Sequence, residues 1–175
     1  MKLLLFLLGI LLSNQTLEAQ EQRSLDFLKA DVSIHIDSLS RSINGNVNYT
    51  FKVLTKVDSL FLDAQNMSFT ELRLNNKQVK YTYDGKKLRL FKKLKAGKTY
   101  SLSVHYNAIP KQTVYFIGWD DSIPDNNQIW TQGQGKYTSH WLPSFDDMNE
   151  KVIFNLDLTF DNNYEIIANG KLEDT

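Results

Sequence analysis

The chain has 175 residues, 20 Lys and Arg against 20 Asp and Glu, 42% hydrophobic residues and no cysteine. That balance excludes recognition of nucleic acid or of an anionic membrane through bulk charge, and the missing thiols exclude both a disulfide framework and a lipidated cysteine. The length suits one domain with a leader, enough to bury a real core.

Residues 1–19 read as a secretory signal peptide. Lys2 supplies the positive start, the run Leu3 to Leu12 the apolar segment, and Leu17-Glu-Ala19 a small-residue cleavage site before Gln20. The apolar run is well short of the roughly 20 residues of a membrane-spanning helix, so no stable membrane anchor is expected. The mature domain, residues 20–175, is then exported to a periplasmic or extracellular location, and without cysteines it must be held by its core.

From Lys29 onward the dominant period is two, the signature of strands with one buried face. Val32, Ile34 and Ile36 alternate with Asp31, Ser33, His35 and Asp37, and Ile43, Val47, Tyr49, Phe51 and Val53 repeat the pattern, with Asn44-Gly45 read as a turn or bulge. Further strands are predicted at 59–64, 68–74, 77–83, 87–91 and 99–106, punctuated by Asn75-Asn76, Asp84-Gly85 and Ala96-Gly97. The expected class is all-β, an antiparallel β-sandwich or a pair of saddle-shaped sheets preceded by the signal-peptide helix. Lys86, Lys87, Arg89, Lys92, Lys93, Lys95 and Lys98 form a basic run that alternates with Leu88, Leu90 and Leu94; it reads as a solvated strand edge, not a nucleic-acid patch.

After Pro110 comes a short apolar run, Thr113 to Trp119, and then a polar loop at 120–127 carrying Pro124. Strand character returns at 128–132 and 150–160, where Val152, Phe154, Leu156 and Leu158 share one face. Tyr164 to Ala168 is expected to begin another strand, and Asn169-Gly170 a hairpin turn whose partner is cut off, as at a break inside a larger polypeptide.

The chemistry is concentrated between Gln128 and Asp147. In an extended segment Gln132 and Gln134 project to one side. Two carboxamides there suit a substrate ammonium or peptide backbone without burying a charge, while Gly133 and Gly135 leave the other side open to close approach; the alternative is that both amides lie on a plain exposed edge. Asp146-Asp147 fits a turn or cap better than a catalytic pair. His35, His105 and His140 are far apart and lack metal-ligand spacing, and no Ser lies in a Gly-x-Ser-x-Gly turn. No catalytic or metal-ligating residue is therefore assigned.

The segment from Thr131 to Lys151 resembles the N-terminal domain of the aminopeptidase N family of zinc metallopeptidases, which pairs Gln-x-Gln or Gln-x-Glu with an aromatic and Pro-x-x-Asp segment and a Lys-hydrophobic strand. Here these are Gln132-Gly-Gln134, His140 to Asp147, and Lys151-Val-Ile-Phe-Asn-Leu. The resemblance implies a β saddle packed on a thermolysin-like catalytic domain, with Gln134 holding the peptide's free N-terminal amine, Gln132 lining the adjoining first side-chain pocket, Gly135 beside them in the substrate-binding stretch, and Pro143, Phe145 and Asp146 shaping the turn beneath. Met148 stands where many members have a second proline. Zinc would belong to the complete enzyme, since this chain lacks the His-Glu-x-x-His and Gly-x-Met-Glu-Asn motifs and alone is expected to be inactive. The alternative function is a stand-alone secreted β-sandwich that binds a protein or carbohydrate through Trp119, Trp130 and Trp141.

Overall fold

The structure is a computed structural model and describes residues 24–120, 126–133, 136–146 and 150–174. The predicted signal peptide lies outside them. Among the described residues there are eleven strands, β1 (Leu25–Asp37), β2 (Ser42–Val53), β3 (Val57–Asp63), β4 (Met67–Leu74), β5 (Lys77–Gln78), β6 (Tyr81–Tyr83), β7 (Lys87–Leu94), β8 (Thr99–Ala108), β9 (Val114–Ile117), β10 (Gln128–Thr131) and β11 (Ile153–Thr159), with one short 3₁₀ turn at Thr138–His140. They form a six-stranded sheet in the order β11-β1-β2-β8-β4-β5, a three-stranded sheet β3-β7-β6, and a two-stranded ribbon β10-β9.

Two facing layers follow from the period-two pattern. Val32, Val47, Tyr49, Phe51, Leu102 and Val104 of the large sheet and Leu60, Leu62, Leu88, Leu90 and Leu94 of the small one are all buried in a single hydrophobic cluster. Their polar neighbours Asp31, Asn46, Asn48 and Ser103 lie on the outer face of the large sheet, where Asn107 Nδ2 donates to Asn44 Oδ1 at 2.8 Å and Asn155 Nδ2 to Asp31 Oδ1 at 2.7 Å. Burial of the inner set supplies the main favourable free energy of this cysteine-free fold.

Several sequence expectations are corrected. Asn44-Gly45 is neither turn nor bulge but lies mid-strand in β2, paired to β1 and β8 on its two sides. Glycine is needed there for space, because a Cβ on Gly45 would sit 2.4 Å from Tyr106 Cζ. The turn instead falls at Ser38 to Arg41, where Asp37 Oδ1 accepts from the N–H groups of Leu39 and Ser40 and Arg41 takes a positive φ of 51°. The predicted strand 77–83 is split between two sheets, β5 closing the large sheet and β6 the small one. Asn75 and Asn76, both at positive φ, make the β4-β5 turn, a conformation asparagine tolerates.

Beside these antiparallel pairings, β11 runs parallel to β1 from Lys29↔Ile153 to His35↔Thr159. The long excursion through β2 to β10 makes that orientation possible, since parallel neighbours need a crossover. Residues 164–168 do not form the expected strand: no strand lies beside them, and Glu165, Ile166 and Ile167 are exposed. Gly170 keeps the positive φ of a turn, 109°, but without paired flanks the turn closes no hairpin.

Candidate functional site

The β9-β10 ribbon carries the first predicted contact residue. Phe116 and Ile129 face each other across the ladder and pack against the core, so their neighbours Tyr115 and Trp130 face outward. Those two rings stack 4.4 Å apart and each is 41% exposed. The ribbon continues one residue past β10, because the N–H of Gln132 donates to the Thr113 carbonyl at 2.9 Å. Gln132 thus follows Trp130 on the outward face, and it is exposed. Gln134 and Gly135 lie outside the described residues.

The chain then reverses. A Cβ at Gly133 would come within 3.1 Å of the Lys136 carbonyl oxygen, a close backbone approach that favours glycine. Tyr137 takes a left-handed φ of 80° and leads into the short turn Thr138–His140.

Asp146 organises this reversal. Its carboxylate accepts from the N–H of Tyr137 at 3.2 Å, the N–H of Ser139 at 3.4 Å and Ser139 Oγ at 2.7 Å. Its own N–H donates to Asp63 Oδ2 at 3.1 Å, while Ser144 and Asp63 exchange both backbone hydrogen bonds, at 2.6 and 2.9 Å. The segment is thereby stitched to the end of β3. A second tie comes from the core: Tyr49 Oη, fully buried, donates to the Pro143 carbonyl at 2.6 Å, and burial raises the Tyr49 phenol well above its ordinary pKa. Phe145 packs 4.6 Å from the Phe27 ring and 5.9 Å from Tyr49. Pro143 is buried; Phe145 and Asp146 are partly so.

Between this segment and the β1-β11 edge opens a cleft of about 390 Å³, lined among others by Gly133, Lys136, Trp141, Asp146, Glu150 and Phe154. The bulge in β1 between Phe27 and Lys29 interrupts the ladder, and there the N–H of Phe27 donates to Glu150 Oε1 at 2.6 Å. Tyr49, Asp63 and Glu150 were not singled out by the sequence. Their partners lie 94, 83 and 123 positions away, so no local spacing could reveal them.

The histidines stay apart. His35 is exposed in β1, His105 Nε2 lies 3.9 Å from Glu71 on the outer sheet face, and the His140 ring packs 5.9 Å from Tyr137. Among the described residues no three His, Cys, Asp or Glu side chains are placed to hold a metal ion. The tryptophans occupy three separate settings: Trp119 packs between Phe160 and Tyr164, Trp141 lines the cleft, and Trp130 stacks on Tyr115.

Comparison with known proteins supplies the wider frame. The fold is shared with an M1 zinc metallopeptidase from Deinococcus radiodurans crystallised with bound Tyr-Ser-Ala, at a TM-score of 0.65 and 18% identity, covering 78% of this chain and 33% of that one. It is shared also with native leukotriene A4 hydrolase from Saccharomyces cerevisiae, at a TM-score of 0.68 and 16% identity, covering 78% of this chain and 23% of that one. This chain thus spans a third or less of those molecules. No curated protein matches it. The family model for the Peptidase M1 N-terminal domain matches residues 11–175. Nearly the whole sequence is covered by that match, and the chain belongs to the Peptidase M1 N-terminal domain family.

Proposed function

We propose that this chain is the non-catalytic N-terminal domain of an exported zinc aminopeptidase, in which it lends one wall to the peptide cleft and docks on a thermolysin-like catalytic domain. The observation that carries this reading is the family match over residues 11–175. Among the described residues no three side chains are placed to hold a metal ion; on this reading zinc and the hydrolytic groups are supplied by the catalytic domain.

On this reading the carboxamides of Gln132 and Gln134 receive the first residue of a peptide. A Gln oxygen accepts from the free N-terminal ammonium while the Gln NH₂ is available to a peptide carbonyl. A neutral amide binds an ammonium less strongly than a carboxylate does, so acids of the catalytic domain carry the larger share. In support of this reading, Gln132 is exposed, stands at the end of a hydrogen-bonded ribbon and is followed by a segment that Asp146 and Tyr49 pin to the core. Pinning matters because a wall that wanders loses its orientation to the reacting bond. The exposed apolar side chains Ile153, Ile166, Ile167 and Leu172 support a docking role for the β11 side.

Incubation of the purified chain with an aminoacyl anilide and zinc should release no aniline. Chelator-sensitive turnover by the chain alone would contradict the proposal.

A second reading, a stand-alone secreted module binding protein or carbohydrate, has the exposed Tyr115-Trp130 stack in its favour. Trp119 and Trp141 are engaged in packing, which leaves it one aromatic pair in place of three tryptophans.

A further inference from the structure

Neutral overall, the molecule is locally far from neutral. Nine of its 20 Lys and Arg fall within residues 77–98, where Asp84 is the single acid. The fold gathers most of them on the small sheet and the turn that leaves it. Leu88, Leu90 and Leu94 of β7 point inward and are fully buried, so Lys87, Arg89 and Phe91 fall on the outer face. Lys87 and Arg89 stand over the Phe61 ring of β3, 4.7 and 5.4 Å from its centroid, an arrangement that covers the ring while holding both cations at the surface.

Lys80, Lys92, Lys93, Lys95 and Lys98 are exposed and form no ion pair among the described residues. The acids nearby are largely committed. Asp84 Oδ1 accepts from the N–H groups of Lys86 and Lys87 at 2.8 and 2.7 Å, and Asp63 Oδ2 from that of Asp146; Asp58 is the other acid of β3. Among the cations Phe91 is 51% exposed, and Tyr81, at the sheet edge, 41%.

We propose that this face is a peripheral docking surface for an anionic lipid bilayer. Clustered lysines are compact, strongly hydrated charges suited to a diffuse layer of headgroup phosphates, and an exposed aromatic among them can enter the headgroup region. A nucleic acid offers phosphates too, but residues 77–98 hold eight Lys and one Arg, and lysine lacks the planar fork with which arginine reads base edges.

Co-sedimentation of the full chain with vesicles tests this. The chain should pellet with phosphatidylcholine vesicles containing phosphatidylglycerol at low salt, stay in solution with phosphatidylcholine alone, and be released by added salt. A Lys92→Glu, Lys93→Glu double variant, with unchanged circular dichroism, should lower the partition coefficient by about tenfold or more. Phe91→Ala should weaken binding without altering its salt dependence. Equal behaviour toward both vesicle types, wild-type partitioning by the double variant, retention on heparin without vesicle binding, or salt-sensitive self-association in place of vesicle binding would each overturn the proposal.

Discussion

Gly45 lies directly beneath the Tyr106 ring, and the contact can be tested from both sides. A methyl group at position 45 has no room beneath the Tyr106 ring, so Gly45→Ala should destabilise by about 1–3 kcal/mol through overpacking. Tyr106 Oη is buried without a hydrogen-bond partner, so Tyr106→Phe should instead raise the denaturation midpoint and partly relieve Gly45→Ala in the double variant. Urea melts of the three variants decide it; a destabilised Tyr106→Phe would show that the hydroxyl has a partner. Asp146 invites the opposite expectation. Removing its carboxylate strands the donors at Tyr137 and Ser139, and Asp146→Ala should lower stability by about 2 kcal/mol, with Asn retaining part of the loss. An unchanged melt would mean that the segment is not held by this residue. A turn or capping role for Asp146 was the expectation from the sequence, and in the structure its carboxylate accepts from the N–H of Tyr137 and from Ser139 Oγ. That it is clamped by Asp63 and backed by Tyr49 was not legible there, because those partners are distant in sequence.

At the scale of elements, amide exchange should rank the strands by how many neighbours they have. β1, β2, β8 and β4 of the large sheet and β7 of the small one are flanked on both sides; β2 and β8, at the centre of the large sheet, should exchange slowest, at rates set by global unfolding. The β9-β10 ribbon and residues 164–174 should exchange fastest; equal protection throughout would contradict the three-sheet arrangement. Most strands were readable because each has one wet face, and in β1 the alternation of buried Val32 and Ile34 with exposed Ser33 and His35 survives folding, fading only at Ile36 and Asp37 where the strand ends. Errors arose where tertiary contacts overrode a local signal. Asn-Gly is a strong turn dipeptide, yet at Asn44-Gly45 cross-strand packing by Tyr106 keeps it extended, while the true turn at Ser38 to Arg41 relies on an Asp37 side-chain cap. Parallel pairing of β11 with β1 was likewise invisible, since alternation fixes which face is buried but not the direction of the neighbour.

For the whole molecule, two buried phenols make stability sensitive to alkali. Burial raises the pKa of Tyr49 and Tyr106 in the folded state, whereas in the unfolded chain a tyrosine titrates near about 10. Below that value both states hold the proton and the stabilisation is intact. Above it the unfolded chain ionises first, so stability falls with rising pH. Thermal melts should therefore drop through the alkaline range, less steeply for Tyr106→Phe; a flat profile would show that neither phenol is sequestered. The proposed function rests on the Gln132 and Gln134 pair, whose residue types and spacing were readable in the sequence, whereas the ribbon that holds Gln132 and the Asp146 clamp behind it were not. The most direct measurement is steady-state release of an N-terminal amino acid by the full-length aminopeptidase proposed to carry this domain, comparing wild type with Gln132→Ala and Gln134→Ala. Loss of one charge-assisted hydrogen bond to the substrate ammonium should lower kcat/KM by about tenfold to a hundredfold for Gln134→Ala, with a rise in KM. The Gln132→Ala change should fall unequally on peptides with different first residues. Wild-type kcat/KM in both variants would contradict the account.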